Sequence, residues 1–356
     1  MTCLLELPTE IIEGIAAWLS TRSLWSLRLT CSRLYAQTSH PFARLLPCIR
    51  TDFTSESLPI FERVAQNELL RRGPRTLRVC WVYQDTNNAR IPYGAGYHWD
   101  RDEENCLDMS QPIVTAMKDW LSTSLVNCRS FEITDDNLSS PYFELDATPT
   151  GIAPTDVLAM LFYIISETEL PIKSLAVSML RSKMEPEPAL IPPRLYSSGP
   201  FLKSWGENLR DLSLSWDLVR PGSVDLTVQL LSTATNLHCL KLRLHGSHEA
   251  VENALVQAAT VDNLPRLKAL HIQHLWHVSS HPLLEFASRF SGSLQELEIG
   301  YVFLWKGNWG HILHPGKNLF RDLRHIKILQ CSEPGRQGLI DVERFYGDRE
   351  PTSSSN

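Results

Sequence analysis

Several features that would mark particular protein classes are missing from this chain of 356 residues. Its formal net charge is −6 and no lysine or arginine run stands out, which argues against a nucleic-acid binder. No stretch reaches the roughly 18 apolar residues of a membrane helix. The acidic N-terminus also lacks the positive segment of a secretory signal. We therefore expect a cytoplasmic or nuclear protein that binds neither nucleic acid nor membranes.

Cysteine is present at eight positions, but the usual cysteine sites are missing. No C-x-x-C pair occurs, so the spacing indicates neither a disulfide framework nor a zinc site. We expect the cysteines to be small buried side chains in a reducing compartment.

Catalytic motifs are missing as well. In the glycine-containing segment 93–99, Trp99 stands where the third glycine of a dinucleotide-binding loop belongs, and no G-x-S-x-G motif occurs. Four closely spaced histidines could be read as a metal site: His271, His274, His277 and His281. Side chains on one face of a strand recur every second residue, and these histidines do not follow that spacing, so they would not converge on one ion. We expect no enzymatic activity, no cofactor and no metal.

The first 47 residues have the pattern of short packed helices. Pro8 suits the first position of a helix, and apolar residues then recur at helical spacing. Ser20 or Thr21 can cap a second helix that continues through Leu34, and Pro41 can open a third. Because so short a helical segment barely makes its own core, we expect it to depend on a partner or on the next domain.

A repeat dominates the rest of the chain. Five segments share the pattern L-x-x-L-x-L, in which Ile is allowed at the last two apolar positions. Gaps of 28, 30, 27 and 29 residues separate their middle apolar positions: Leu212, Leu240, Leu270, Leu297 and Ile326. Looser copies occur at 74–79, 128–133 and 172–177, and amphipathic helical stretches separate the copies. A strand and a helix recurring every 28 residues or so are typical of a leucine-rich-repeat solenoid. An ordinary α/β sheet is the alternative.

The predicted fold is therefore α/β, with three N-terminal helices followed by an irregular solenoid that has a curved parallel sheet inside and helices outside. We predict a helical box at 1–47, a helical linker at 48–73 and a repeat domain at 74–346. Irregular insertions near 84–111 and 183–200 interrupt the repeats, and the tail at 347–356 should be disordered. Regular repeats carry Asn or Cys three residues after the last apolar strand position, and only Cys331 fits.

The N-terminal segment resembles the F-box in its joint spacing of Leu-Pro-x-Glu-Ile at 7–11 and Leu-Arg-x-Thr-Cys at 27–31. F-box and leucine-rich repeats are a familiar combination. The resemblance implies a substrate receptor of a Skp–cullin–F-box (SCF) ubiquitin ligase, with the helices on a Skp-type adaptor, and through it a cullin, and the repeats on a protein substrate. Carried over by position, the adaptor-facing or box-core residues are Leu7, Pro8, Ile11, Ile15, Leu19, Leu24, Leu27 and Cys31. The alternatives are a scaffold outside ubiquitination and an unrelated α/β protein.

Residues between the repeat leucines should point outward onto the exposed sheet face. Large aromatic residues follow several strand ends, and tryptophan is enriched in interface hot spots. We therefore predict that the substrate surface includes Trp216, Arg243, His271, Trp276, Glu298 and Trp305. The plainer interpretation is a solvated sheet with cross-strand charge pairs.

Overall fold

A computed structural model describes residues 4–80, 94–134, 151–178, 187–262, 264–310, 320–336 and 338–345. The described residues form two compact units. The first holds 4–80, 94–100, 108–132 and 151–152, and the second holds 101–107, 133–134 and the described residues from 153 onward. Within these ranges, no helix has both the length and the apolar character needed to cross a membrane. The predicted tail at 347–356 lies outside the described residues.

The N-terminal segment folds into four short helices rather than the predicted three. They are α1 (Thr9–Ala17), α2 (Thr21–Arg28), α3 (Ser32–Gln37) and α4 (Ser39–Arg44). Ser20 caps α2 as predicted, because its Oγ accepts a hydrogen bond from the Ser23 amide at 3.2 Å. The predicted second helix breaks at Cys31, whose extended backbone (φ −161°) cannot continue a helix and begins α3 instead.

A small core holds these helices together. Ala16, Leu24 and Phe42 are buried against one another, and partly buried leucines surround them. Trp25 packs edge-on against Phe42, with ring centroids 4.8 Å apart. Each fully buried leucine stabilises such a core by about 1.5–3 kcal/mol.

The rest of the first unit contains three strands, β1 (Cys48–Thr51), β2 (Thr76–Cys80) and β3 (Ser130–Thr134), which begins there. Helices α5 (Leu58–Gln66) and α6 (Pro112–Asp119) lie between them along the chain. The prediction of a helical linker over 48–73 was therefore wrong at 48–51, which pairs in parallel with β2. In the predicted insertion at 84–111, residues 94–111 form turns without a strand or helix before α6, and 84–93 lie outside the described residues.

The second unit alternates helices and strands. Its helices are α7 (Pro154–Thr168), α8 (Pro193–Ser197), α9 (Gly199–Asn208), α10 (Ser223–Thr233), α11 (His248–Thr260) and α12 (Ser280–Ser288). Its strands are β4 (Ser174–Ser178), β5 (Asp211–Asp217), β6 (Cys239–His245), β7 (Ala269–Gln273), β8 (Trp276–Ser279), β9 (Glu296–Gly300), β10 (Phe303–Lys306), β11 (His325–Cys331) and β12 (Ile340–Phe345). The predicted insertion at 183–200 holds α8 and the start of α9, and its residues 183–186 lie outside the described residues.

The main sheet of this unit follows the repeat predicted from the sequence. Its strand order is β4-β5-β6-β7-β9-β11-β12, parallel up to β11, with β12 antiparallel at the edge. The five middle residues of the repeat lie side by side in register: Leu212, Leu240, Leu270, Leu297 and Ile326. All five are buried, so the predicted strands and their inward leucines are confirmed.

The turns that follow the strands replace the missing Asn/Cys ladder with backbone hydrogen bonds. The Phe303 amide donates to the Leu275 carbonyl at 2.9 Å, and the Ser332 amide donates to the Val302 carbonyl at 3.1 Å. Strands β8 and β10 also pair in parallel as a small second sheet that the sequence pattern did not predict. Buried apolar residues such as Leu275 and Val302 can therefore occupy positions where regular repeats place a polar side chain.

Candidate functional site

An apolar stripe on α1 is open to solvent. Ile11, Ile15 and Trp18 follow one another at helical spacing, with 52%, 40% and 91% of their surface exposed. On the adjacent side of the helix, roughly 100° around its axis, Ile12 and Ala16 are buried. The helix is thus apolar on two adjacent sides, although the small core of the four helices covers only one of them.

Helices α2 and α3 add further exposed apolar residues. Trp25, Leu29 and Tyr35 expose 48%, 78% and 50% of their surface. With Ile11, Ile15 and Trp18, they form what we call the apolar box face. Large apolar residues exposed in this number on three short helices indicate an interaction site.

The eight residues assigned from the F-box resemblance divide into distinct structural roles. Pro8, Ile11 and Ile15 are exposed, whereas Leu24 is fully buried and belongs to the core. The remaining four are partly buried, and Leu19 and Leu27 pack against that core: Leu7, Leu19, Leu27 and Cys31. Sequence reasoning left Trp18, Trp25, Leu29 and Tyr35 out of the assigned set, although Trp18 continues the helical spacing of Ile11 and Ile15.

Arg28 is an unexpected buried cation in this segment. Its guanidinium carbon lies 4.1 Å from the ring centroid of Tyr35 and 4.2 Å from that of Phe42. Nη1 donates to the Tyr35 carbonyl at 3.1 Å and to two hydroxyls on the turn between α3 and α4. Burial lowers the pKa of Arg28 from its usual value, with a smaller opposing effect from Tyr35. Arg28 therefore ties α2 to the turn that starts α4.

In the second unit, polar side chains from neighbouring strands meet on one sheet face. His271 Nδ1 lies 3.3 Å from Glu298 Oε2, and Gln273 Nε2 donates to Glu298 Oε1 at 2.9 Å. Arg243 is half-buried on β6 and lies opposite Ser215 of β5. His271 and Glu298, both in the predicted substrate surface, are thus in contact.

Trp216 does not belong to that surface, contrary to the prediction. Only 1% of it is exposed, and its indole Nε1 donates to Thr227 Oγ1 of α10 at 3.0 Å. The reason is that β5 continues to Asp217, so Trp216 extends the inward alternation of Leu212 and Leu214. Trp216 is a core residue.

Trp276 and Trp305 are exposed, in agreement with the prediction, and lie on the small second sheet. The Trp276 ring packs against Phe303 with centroids 4.8 Å apart. Trp305 Nε1 donates to Glu252 Oε1 of α11 at 3.0 Å, which fixes the indole beside that helix. Both indoles are held in place yet remain half open to solvent.

His274 and Tyr301 form a stacked pair in the turns after β7 and β9, with centroids 4.6 Å apart and planes 14° apart. Burial, with smaller contributions from the nearby Arg243 and His245, lowers the pKa of His274 to about 4. The imidazole is therefore neutral at physiological pH and serves as a flat aromatic surface. Sequence reasoning did not find this pair, because contacts between turns leave no periodic signal.

Comparison with known families gives one match. Residues 4–41 match the family model of the F-box domain, which covers α1 to α3 and the start of α4. A search among curated proteins found no match to the chain. The apolar box face thus lies within the matched segment, and residues 4–41 of this chain are an F-box domain.

Proposed function

We propose that this chain is the substrate-recognition subunit of an SCF-type ubiquitin ligase. An F-box domain points to that role at the level of the family. The observation that carries the proposal is the apolar box face, because the chain's own core leaves it uncovered. In this proposal a Skp-type adaptor covers the face and links the chain to a cullin.

The second unit is the proposed substrate holder, and we interpret it as a degenerate leucine-rich-repeat array. In-register parallel strands that alternate with helices support this interpretation. The proposed substrate surface keeps Arg243, His271, Glu298, Trp276 and Trp305 and drops the buried Trp216. A partner held there would be kept at high effective concentration near the ubiquitin-carrying enzyme, which performs the chemistry.

Reconstitution with purified adaptor, cullin and ubiquitin-transfer enzymes tests the proposal. The double variant Trp18→Ala/Leu29→Ala should lose the cullin in co-precipitation, because both changes fall on the apolar box face. Val219→Ala, which removes an apolar side chain that is 60% exposed in the second unit, is the control and should retain the cullin. Leu24→Ala disrupts the F-box core and shows how much binding is lost through unfolding alone. Circular dichroism identifies the variants that have lost their helices.

Ubiquitin transfer distinguishes a ligase receptor from a scaffold that only binds the adaptor. Partners captured by the wild-type chain should be ubiquitinated in the complete reaction and spared when the Trp18→Ala/Leu29→Ala variant replaces it. Stable capture of adaptor and cullin with no ubiquitin on any captured partner would support the scaffold. Failure of the wild type to bind the adaptor would overturn both interpretations.

A further inference from the structure

Two histidines and two glutamates from three adjacent strands face one another on the sheet of the second unit. Glu296 and Glu298 lie on the central strand of the three, β9. In the strand register His271 of β7 is opposite Glu298, and His325 of β11 is opposite Glu296. Because residues two apart on a strand share a face, all four side chains lie on the same side of the sheet.

With neutral imidazoles, the distances within this group leave acceptor atoms facing one another. His271 Nδ1 is 3.3 Å from Glu298, while its Nε2 is 3.9 Å from Glu296. A neutral imidazole has only one N–H. If Nδ1–H donates to Glu298, the Nε2 lone pair points towards a carboxylate. His325 repeats the arrangement, with Nε2 3.2 Å from Glu343 and Nδ1 4.0 Å from Glu296.

The charge of the group is also unbalanced. Three carboxylates, those of Glu296, Glu298 and Glu343, surround two imidazoles. Lys241 and Lys327 are the register neighbours of His271 and Glu298. The two lysines offset part of the negative charge, and a cation placed among the carboxylates would end the facing of acceptor atoms.

We propose that His271, Glu296 and Glu298 bind a divalent transition-metal ion, with Zn²⁺ as the best-suited species. Each residue offers one donor atom, and the three atoms lie within 4.8 Å of one another. Donors around a tetrahedral zinc ion with bonds of about 2.0–2.2 Å are roughly 3.4 Å apart. The widest pair must therefore close by at most roughly 1.4 Å to reach that geometry.

Neighbouring side chains give this site supporting contacts. Gln273 donates to the Oε1 atom of Glu298 and so orients its carboxylate. Partners of this kind, which hold a ligand without touching the metal, typically contribute about 10–100-fold to metal affinity. His325 is placed to reach an ion bound by Glu296 from the other side.

This site differs from the four-histidine cluster that the sequence suggested. Of those four histidines, only His271 takes part. Their spacing excluded a metal site built from a single strand, not one built from neighbouring strands. The carboxylates instead come from β9, 25 and 27 residues further along the chain, and the strand register brings them together. The inference does not depend on adaptor docking, since it concerns the sheet face alone.

Calorimetric titration of the metal-free, full-length protein with Zn²⁺ tests the proposal, with Co²⁺ absorption as a second readout. The wild type should bind one ion with a tetrahedral Co²⁺ spectrum. His271→Gln and Glu298→Gln should each weaken binding by at least about tenfold, since losing a ligand costs no less than losing an orienting partner. Circular dichroism of the metal-free variants checks that they fold.

A second histidine–glutamate pair supplies the matched control. His281 and Glu285 on α12 are exposed and lie 3.8 Å apart. Among the described residues, no third potential ligand joins this pair to make a metal-binding group. His281→Gln/Glu285→Gln should therefore leave Zn²⁺ affinity unchanged. If the wild type shows no stoichiometric binding, or if His271→Gln and Glu298→Gln bind as tightly as the wild type, the proposal fails and the contacts are only cross-strand hydrogen bonds.

Discussion

Two tryptophans of the second unit give the sharpest test of which side chains are core and which are surface. Trp216 is 1% exposed on β5, whereas Trp276 is 51% exposed on β8. Replacing each with alanine removes the same atoms from the same unit. The two variants therefore differ only in how much packing is lost.

The structure gives a different free-energy cost for each substitution. Removing a buried tryptophan costs about 3–5 kcal/mol, the sum of lost burial and of the cavity left behind. The Thr227 hydroxyl keeps its bond to the Ser223 carbonyl, so the lost indole contact leaves no unpaired donor. Trp276→Ala gives up mainly its ring contact with Phe303, an aromatic pair that contributes about 0.5–1.5 kcal/mol.

Urea unfolding of the full chain, followed by far-ultraviolet circular dichroism, measures both costs. We expect Trp216→Ala to lower the free energy of unfolding by about 3 kcal/mol more than Trp276→Ala does. Equal losses, or a loss below about 1 kcal/mol for Trp216→Ala, would refute the inward alternation of β5.

Three further outcomes follow from buried or partly buried groups. Arg28→Lys should destabilise the F-box by about 2 kcal/mol and more than Arg28→Met does, because lysine keeps the buried charge but loses the guanidinium's shared bonds; thermal unfolding followed by circular dichroism measures it. The lowered pKa of His274 means that the unfolded chain binds the proton more readily, so stability should fall as pH drops from about 6.5 towards 4. His274→Asn, which tolerates the positive φ of 56°, should flatten that dependence in urea titrations; an unchanged dependence would exclude His274 as its source. Burial raises the pKa of the Cys128 thiol to about 12, so iodoacetamide should alkylate the partly exposed Cys31 and spare Cys128 in native protein; mass spectrometry reads the result, and early labelling of Cys128 would contradict its burial.

The sheet of the second unit was predictable because its signal is periodic. Leu212, Leu240 and Leu270 recur at nearly constant spacing, and a shared core requires them to align, as they do. Ile11 and Ile15 were likewise recognisable from helical spacing, and the F-box match confirms the segment that holds them.

Features that depend on where an element ends were harder to predict. Trp216 was misassigned because β5 continues for three residues beyond Leu214, to Asp217, which keeps Trp216 in the inward alternation of the strand. The break at Cys31 depends on the local extended backbone, which apolar spacing does not encode. The approach of Glu296 to two histidines arises from the register of three strands, and no single segment reveals it.

The account's central claim is that the apolar box face binds a Skp-type adaptor, and a binding titration with the full-length chain tests it most directly. Trp18 is 91% exposed, so an adaptor that covers it should make it a hot spot worth about 2 kcal/mol or more. We predict that Trp18→Ala raises the Kd by at least about 30-fold, whereas Val219→Ala leaves it unchanged. An adaptor that does not bind the wild type, or that binds Trp18→Ala as tightly, would contradict the account.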